Sequence, residues 1–174
     1  MKKAFALTLA SVVFVSCGEP GTSEPEVATP EIMTVALTQL VTVDNTFGGG
    51  PPPFTEYLIQ TRTDPRAGDV TGGSGEPSRE LTGAERAAIE EALAEYGPVR
   101  WIDDPDEWRT PDLMPQIEGS VILGIGEPVV EDGSALVPVS LWCGGLCGTW
   151  LSYRVDLVDG LWEVSGIEGP VAVS

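Results

Sequence analysis

The sequence predicts an α+β fold: an antiparallel β-meander of about four to six strands packed against one or two helices. Three observations carry it. Residues 134–165 read as three strands joined by two short turns, Cys143-Gly144-Gly145-Leu146-Cys147 and Asp159-Gly160. An apolar run from Ser120 to Val130 leads into them. Upstream, Leu81 to Tyr96 is alanine-rich and carries a signal at each end of a helix.

The meander is specified by its turns. With Cys143 facing Cys147, Leu141 falls opposite Thr149, Val139 opposite Leu151, Val137 opposite Tyr153 and Ala135 opposite Val155, all on one apolar face. A two-residue Asp159-Gly160 turn, whose residues tolerate positive φ, then pairs Leu157 with Trp162, Val155 with Val164 and Tyr153 with Gly166. The two registers agree, and a one-residue slip in either would turn its apolar set to the opposite side. Pro138 is the misfit, since it has no N–H for a ladder and predicts a bulge or a locally edge-like position. Ser120 to Val130 should pair back through Glu131-Asp132-Gly133. A two-residue turn there would send Leu123, Ile125 and Val129 to the Trp142 side; a three-residue loop with a bulge puts them with Val137 and Leu141, and the single coherent core favours the bulge. Trp142 and Trp150 become diagonal neighbours on the face opposite Tyr153, with Gly148 leaving room between them.

From the N-terminus, Met1-Lys2-Lys3, the apolar run Ala4 to Val15 and Ser16-Cys17 form a signal peptide over residues 1–16, too short to span a bilayer, which takes about 20 apolar residues. Phe14-Val15-Ser16-Cys17 resembles the lipobox of bacterial lipoproteins, with Phe14 where leucine is usual. That resemblance implies cleavage before Cys17, a lipid on its sulfur, and a protein held at the bacterial cell envelope. Residues 17–29, rich in Pro, Gly and Glu, read as a flexible tether, and residues 30–174 as a single domain. Thr29-Pro30-Glu31 opens a helix whose stripe is Met33, Ala36, Leu37 and Leu40, although its Thr and Val content keeps a strand open for the second half. Phe47 to Pro53 is a hard break and lacks the Lys-Ser/Thr ending of a phosphate loop. Phe54 to Thr63 reads as a strand, and Asp64 to Arg79 as loop. Thr82 and Glu85 form a capping box for a helix running to Tyr96, with Ala88, Ile89, Ala92, Leu93 and Tyr96 expected on the sheet. Val99 to Ile102 is a short strand, followed by an acidic loop.

Histidine is absent, which removes Ser-His-Asp, Cys-His and His-ligated metal sites. The only lysines, Lys2 and Lys3, lie in the signal peptide; the mature chain keeps seven arginines against 27 carboxylates, a net charge of −20. Phosphate backbones would be repelled, so no nucleic-acid partner is expected. If lipid takes Cys17, Cys143 and Cys147 remain as a pair in an oxidising compartment, and opposed hairpin residues lie at disulfide distance. Gly72-Gly73-Ser74-Gly75-Glu76 lacks the second flanking glycine of a nucleophile elbow. What survives is carboxylate chemistry. Asp103, Asp104, Asp106 and Glu107 form a weak calcium candidate, or an acid and base pair for hydrolysis, but lack the glycine and distal glutamate of an EF-hand loop. No cofactor is expected.

The C-terminal half, from Val137-Pro138-Val139-Ser140-Leu141-Trp142-Cys143-Gly144-Gly145-Leu146-Cys147-Gly148 through Asp159-Gly160-Leu161-Trp162 to Ser174, resembles uncharacterised exported bacterial proteins, a resemblance that implies no activity. The order of helix, strand, helix and antiparallel strands is similar to the cone-shaped nuclear-transport-factor-like fold, which implies a sheet curled around a cavity. The reading that follows is a lipid-anchored, non-catalytic domain that binds a protein or small molecule, with Trp142 and Trp150 as the contact surface. The alternative is a histidine-free hydrolase using an Asp/Glu pair.

Overall fold

The computed structural model describes residues 29–50, 53–69, 71 and 77–174. The stretch read as a signal peptide, Cys17, all but the last residue of the stretch read as a tether, and the Gly72 to Glu76 run lie outside them. In chain order the elements are α1 (Thr29–Thr42), β1 (Glu56–Gln60), α2 (Gly83–Leu93), β2 (Val99–Ile102), a short 3₁₀ helix (Pro105–Trp108), β3 (Ser120–Ile125), β4 (Val129–Glu131), β5 (Ser134–Gly144), β6 (Cys147–Val158) and β7 (Leu161–Val173). The strands form one seven-stranded sheet in the order β2-β1-β3-β5-β6-β7, with β4 also pairing to β5. The class is α+β, and β5 to β7 are the antiparallel meander. Further upstream the sheet is mixed, because β1 runs parallel to both β2 and β3. Parallel neighbours need a long crossover, and α2 supplies it between β1 and β2.

The registers of β5 on β6 follow the turn chemistry: Leu141 pairs with Thr149, Val139 with Leu151, Val137 with Tyr153 and Ala135 with Val155. At the Asp159-Gly160 turn both residues have positive φ (52° and 85°), as a type I′ hairpin requires, and Leu157 meets Trp162. The register then shifts. Ser165 is an extra residue between the Val155–Val164 and Arg154–Gly166 pairs, so Tyr153 faces Ile167 rather than Gly166. A second irregularity sets Gly169-Pro170-Val171 against Leu151 alone.

The β4–β5 connection is a two-residue turn, not a three-residue loop. Glu131 pairs with Ser134 across Asp132-Gly133, both at positive φ. Leu123 and Ile125 nonetheless face Leu141 and Val139 in the core, because the register slips where β3 gives way to β4, at residues 126–128. Val129, beyond that slip, is exposed. Pro138 sits at the same seam. Its carbonyl accepts from Gly126 N at 2.8 Å, and the bond that an N–H at 138 would return to Gly126 is missing at the point where β3 has ended and β4 has not begun.

The helices cover one face. Position 29 onward is helical through Thr42, with Ile32, Met33, Ala36, Leu37, Leu40 and Val41 buried, so the strand alternative for its second half does not hold. The helix α1 lies against β5, β6 and β7, and α2 packs beside α1 rather than across the sheet. Ile89 and Leu93 still reach the shared core with Tyr57, Ile59, Leu123, Val137 and Tyr153. Thr82 and Glu85 make the full capping box. Glu85 is also buried, 3% exposed, with its carboxylate accepting from both Nη atoms of Arg79 at 2.7 and 2.9 Å. Tyr153 Oη donates to Asp44 at 2.7 Å, and burial first, then that bond, raises its pKa above the ordinary tyrosine range.

At the far tip of the meander Cys143 and Cys147 form a disulfide, with Cα atoms 5.1 Å apart. The tip is offset by one residue from the simple register, since Gly144 rather than Cys143 pairs with Cys147. Closing so short a loop restricts the unfolded chain by only about 2 kcal/mol in the chain-entropy description. A Cys143→Ser/Cys147→Ser variant should therefore fold and lose about 2 kcal/mol or less in chemical denaturation; failure to fold would mean that the bridge holds more than its own turn.

Candidate functional site

The face opposite the helices carries the even-numbered positions of β1, β3, β5 and β6, and pairing arranges them in two rows across the strands. One row is apolar until its end: Leu58 pairs with Ile122, Ile122 with Trp142 and Trp142 with Gly148. The adjacent row is small and polar: Gln60 on β1 and Gly124 on β3, then Ser140 on β5, which pairs with Gly124 on one side and Trp150 on the other. Leu58 and Ile122 form a second, smaller core with Ile102, against which Trp108, Ile117 and Trp142 pack.

Two loops rise over these rows. The first begins at Asp64, whose N–H donates to Ile125 O at 2.8 Å, and returns to the sheet where Gly68 N donates to Val139 O at 3.1 Å. Gly68 fits there because it has no side chain: a Cβ would stand 2.7 Å from Ser152 Oγ and 2.9 Å from Pro138 Cβ, at φ +82°. The second runs from the 3₁₀ helix through Arg109 to Leu113. Between the loops lies a cleft of about 220 Å³ lined by residues from both, including Asp64, Arg66, Pro105, Arg109 and Leu113, over a floor of Gln60, Ile122, Gly124, Ser140, Trp142 and Trp150.

The two indoles named from the sequence therefore come together in one cleft, half-buried, on the face away from Tyr153. Neither α1 nor α2 covers them, because both lie on the other face. The indole of Trp150 is laid back along its own strand, and its distal ring atoms fill the space above Gly148, where a Cβ would stand 2.5 Å away. Trp142 is capped by the guanidinium of Arg109, 4.7 Å from the ring. Arg109 is held in turn by Asp106, Nη1 to Oδ1 at 2.7 Å, while its Nε–H is buried and has no hydrogen-bond partner.

At the floor, Gly124 opens the space in which polar atoms converge. A Cβ there would stand 2.5 Å from Ser140 Oγ, 2.9 Å from Asp64 Oδ2 and 3.3 Å from Gln60 Nε2. Gln60 Nε2 donates to Asp64 Oδ2 at 3.2 Å, and Arg66 N donates to Asp64 Oδ1 at 2.9 Å. Asp64 is thus a mostly enclosed carboxylate, its side chain 12% exposed, and Arg66 Nε lies 4.0 Å from it.

The acidic loop does not assemble as a ligand set. Asp103 accepts from Thr61 Oγ1 at 2.7 Å, Asp104 caps the 3₁₀ helix by accepting from Asp106 N at 2.9 Å, Asp106 holds Arg109, and Glu107 points to solvent. Among the described residues no three acidic or thiol side chains converge in a way that would hold a metal. None of these four carboxylates lines the cleft, whose one carboxylate is Asp64.

Gln60, Asp64, Arg66, Arg109, Gly124 and Ser140 were not singled out by the sequence. A signal for two of them was present: Gly124 and Ser140, like Gly148, are small residues at even positions of otherwise apolar strands, the pattern of a hollow in a sheet face. Nothing local announced that the Asp64 and Arg109 loops would close over it. No protein-family model, curated protein or solved structure matches the chain.

Proposed function

We propose that this chain is an exported, lipid-anchored binding domain of the bacterial envelope, tethered through Cys17, and that it takes its ligand or partner in the cleft at Trp142 and Trp150 without turning it over. The observation that supports this most is the convergence of two half-buried indoles with polar groups from two loops and the sheet, drawn close together over Gly124. Rigid aromatic area beside a few placed polar groups is what small-molecule recognition uses. A chain without histidine, and a cleft with a single carboxylate, favour binding over hydrolysis, which needs an acid and a base together.

The cleft is tested by following the indole N–H resonances of ¹⁵N-labelled protein against a chemically diverse set of small molecules. Compounds that bind should shift Trp142 and Trp150 and spare Trp101 and Trp162, which pack against the helix-side core. Shifts confined to Trp101 or Trp162, or a hydrolase screen showing turnover that Asp64→Asn abolishes, would overturn the reading. Trp150→Ala should remove the shifts while costing only about 1–2 kcal/mol, because the indole is half-buried rather than enclosed. The anchor is tested separately. Cys17→Ser should move the protein from membranes to the soluble fraction, since acyl chains contribute about 0.8 kcal/mol per buried CH₂, and a variant that stays on membranes would refute lipidation there.

A further inference from the structure

Within the proposed binding function, on which this inference rests, we infer that the cleft takes a single sugar ring carrying a carboxylate, a hexuronate. The size of the cleft sets the scale, since drug-sized ligands occupy about 300–1,000 Å³ and this one offers about 220 Å³. A pyranose is a chair whose axial C–H groups give it an apolar face, with a rim of vicinal hydroxyls, each both donor and acceptor. The floor offers the matching pair: Trp150, folded over Gly148 as a platform for the apolar face, and beside it the polar row of Gln60 and Ser140. Among the described residues Ser140 Oγ has no hydrogen-bond partner, and Gln60 gives one amide N–H to Asp64 while its carbonyl stays available. Gly124 lets Ser140 Oγ, Asp64 Oδ2 and Gln60 Nε2 draw together over the floor; any side chain there would collide with Ser140 Oγ and Asp64 Oδ2.

The charge comes from the walls. In a mature chain with seven arginines against 27 carboxylates, two of the seven line this one cleft. Arg109 is fixed in place by Asp106 and Trp142, and the Nε–H on the guanidinium edge away from Nη1 has no acceptor. The guanidinium itself lines the cleft wall and brings its positive charge to a ligand carboxylate there. Arg66 on the facing loop is exposed and 4.0 Å from Asp64, close enough to be steered and free enough to reach a second oxygen. Asp64, already fixed by two donors, is left to accept from ring hydroxyls.

The test is titration of ¹⁵N-labelled protein with methyl glycosides of D-glucuronic and D-galacturonic acid, and with the neutral methyl glucoside and galactoside. At least one uronide should shift the Trp142 and Trp150 indole resonances and bind about tenfold more tightly than its neutral counterpart. Ser140→Ala, which removes one small polar group without opening a large void, should weaken that uronide several-fold. Arg109→Gln should narrow the acid-to-neutral ratio. Because Arg109 also packs on Trp142, Arg66→Gln, at an exposed position, is the second variant, and it too should narrow the ratio. Equal binding of acid and neutral sugars, or a ratio that neither arginine variant changes, overturns the uronate assignment. If no saccharide shifts either indole while other compounds of the diverse set do, the sugar class is wrong and the binding cleft stands; if nothing shifts them, both readings fall.

Discussion

Leu37→Ala should destabilise the protein by about 3–5 kcal/mol. Leu37 is fully buried at the middle of the helix that lies on β5, β6 and β7, in the same cluster as Val137 and Tyr153. Packing on both sides limits collapse into the void, and the cost of a buried truncation rises with the cavity left behind. Chemical denaturation followed by tryptophan fluorescence measures it, with Val43→Ala as the control. Val43 is 49% exposed just beyond the end of the same helix and should change stability by less than about 0.5 kcal/mol. A Leu37→Ala loss as small as that of Val43→Ala would mean that α1 is not seated on the sheet.

Arg79→Met should cost about 2–3 kcal/mol at neutral pH. Glu85 is enclosed at the start of α2, and removing Arg79 leaves its carboxylate with backbone partners alone. A fully buried pair broken in this way costs about 3–5 kcal/mol, and the figure is reduced here because the Arg79 side chain is 35% exposed. Arg79 also binds Glu127 at 2.7 Å, tying α2 to the β3–β4 seam. The effect depends on pH with a definite sign. Burial pushes the Glu85 carboxyl up, but the bonds from Arg79 and Thr82 outweigh it and hold the pKa below the usual carboxylate range. A depressed folded-state pKa contributes stability that is complete above the unfolded value of about 4.3 and is lost as pH falls through the folded value. The gap between wild type and Arg79→Met should therefore close in acid below about pH 4. A gap that is constant with pH would show that the loss is packing rather than charge.

How much of this fold was legible in the sequence depends on how local its causes are. The β5–β6 register up to Trp142, the β6–β7 register from the Asp159-Gly160 turn as far as Val155 and Val164, the Thr82–Glu85 cap and the Cys143–Cys147 bridge follow from local turn and cap chemistry, whereas the shift at Ser165 that puts Tyr153 opposite Ile167 carries no local signal. The Asp132-Gly133 turn was misread because the slip that restores the core register lies upstream, at residues 126–128. The parallel pairing of β1 with β2 and β3 was not legible at all, since Tyr57, Leu58 and Ile59 would suit either orientation and any partner. The site divides in the same way. Trp142 and Trp150 were placed together by hairpin register, whereas Asp64 and Arg109 reach them from loops whose course depends on Gly68 seating against Pro138 and on Asp106 holding a guanidinium.

The irregularities of β7 bear on how copies of this protein tolerate crowding. As the last strand of the sheet it presents an open rim of backbone groups, and Leu161, Ile167, Val171 and Val173 are exposed along it. A straight strand of this composition would be a template for the rim of a neighbouring molecule. Ser165 and the Gly169-Pro170-Val171 excursion break its line twice, Pro170 has no N–H to offer, and Glu163 and Glu168 set like charges on any self-pairing. No long uninterrupted stretch of rim remains for a second strand to zip onto, so molecules held close together can slide past one another instead of adding strand to strand.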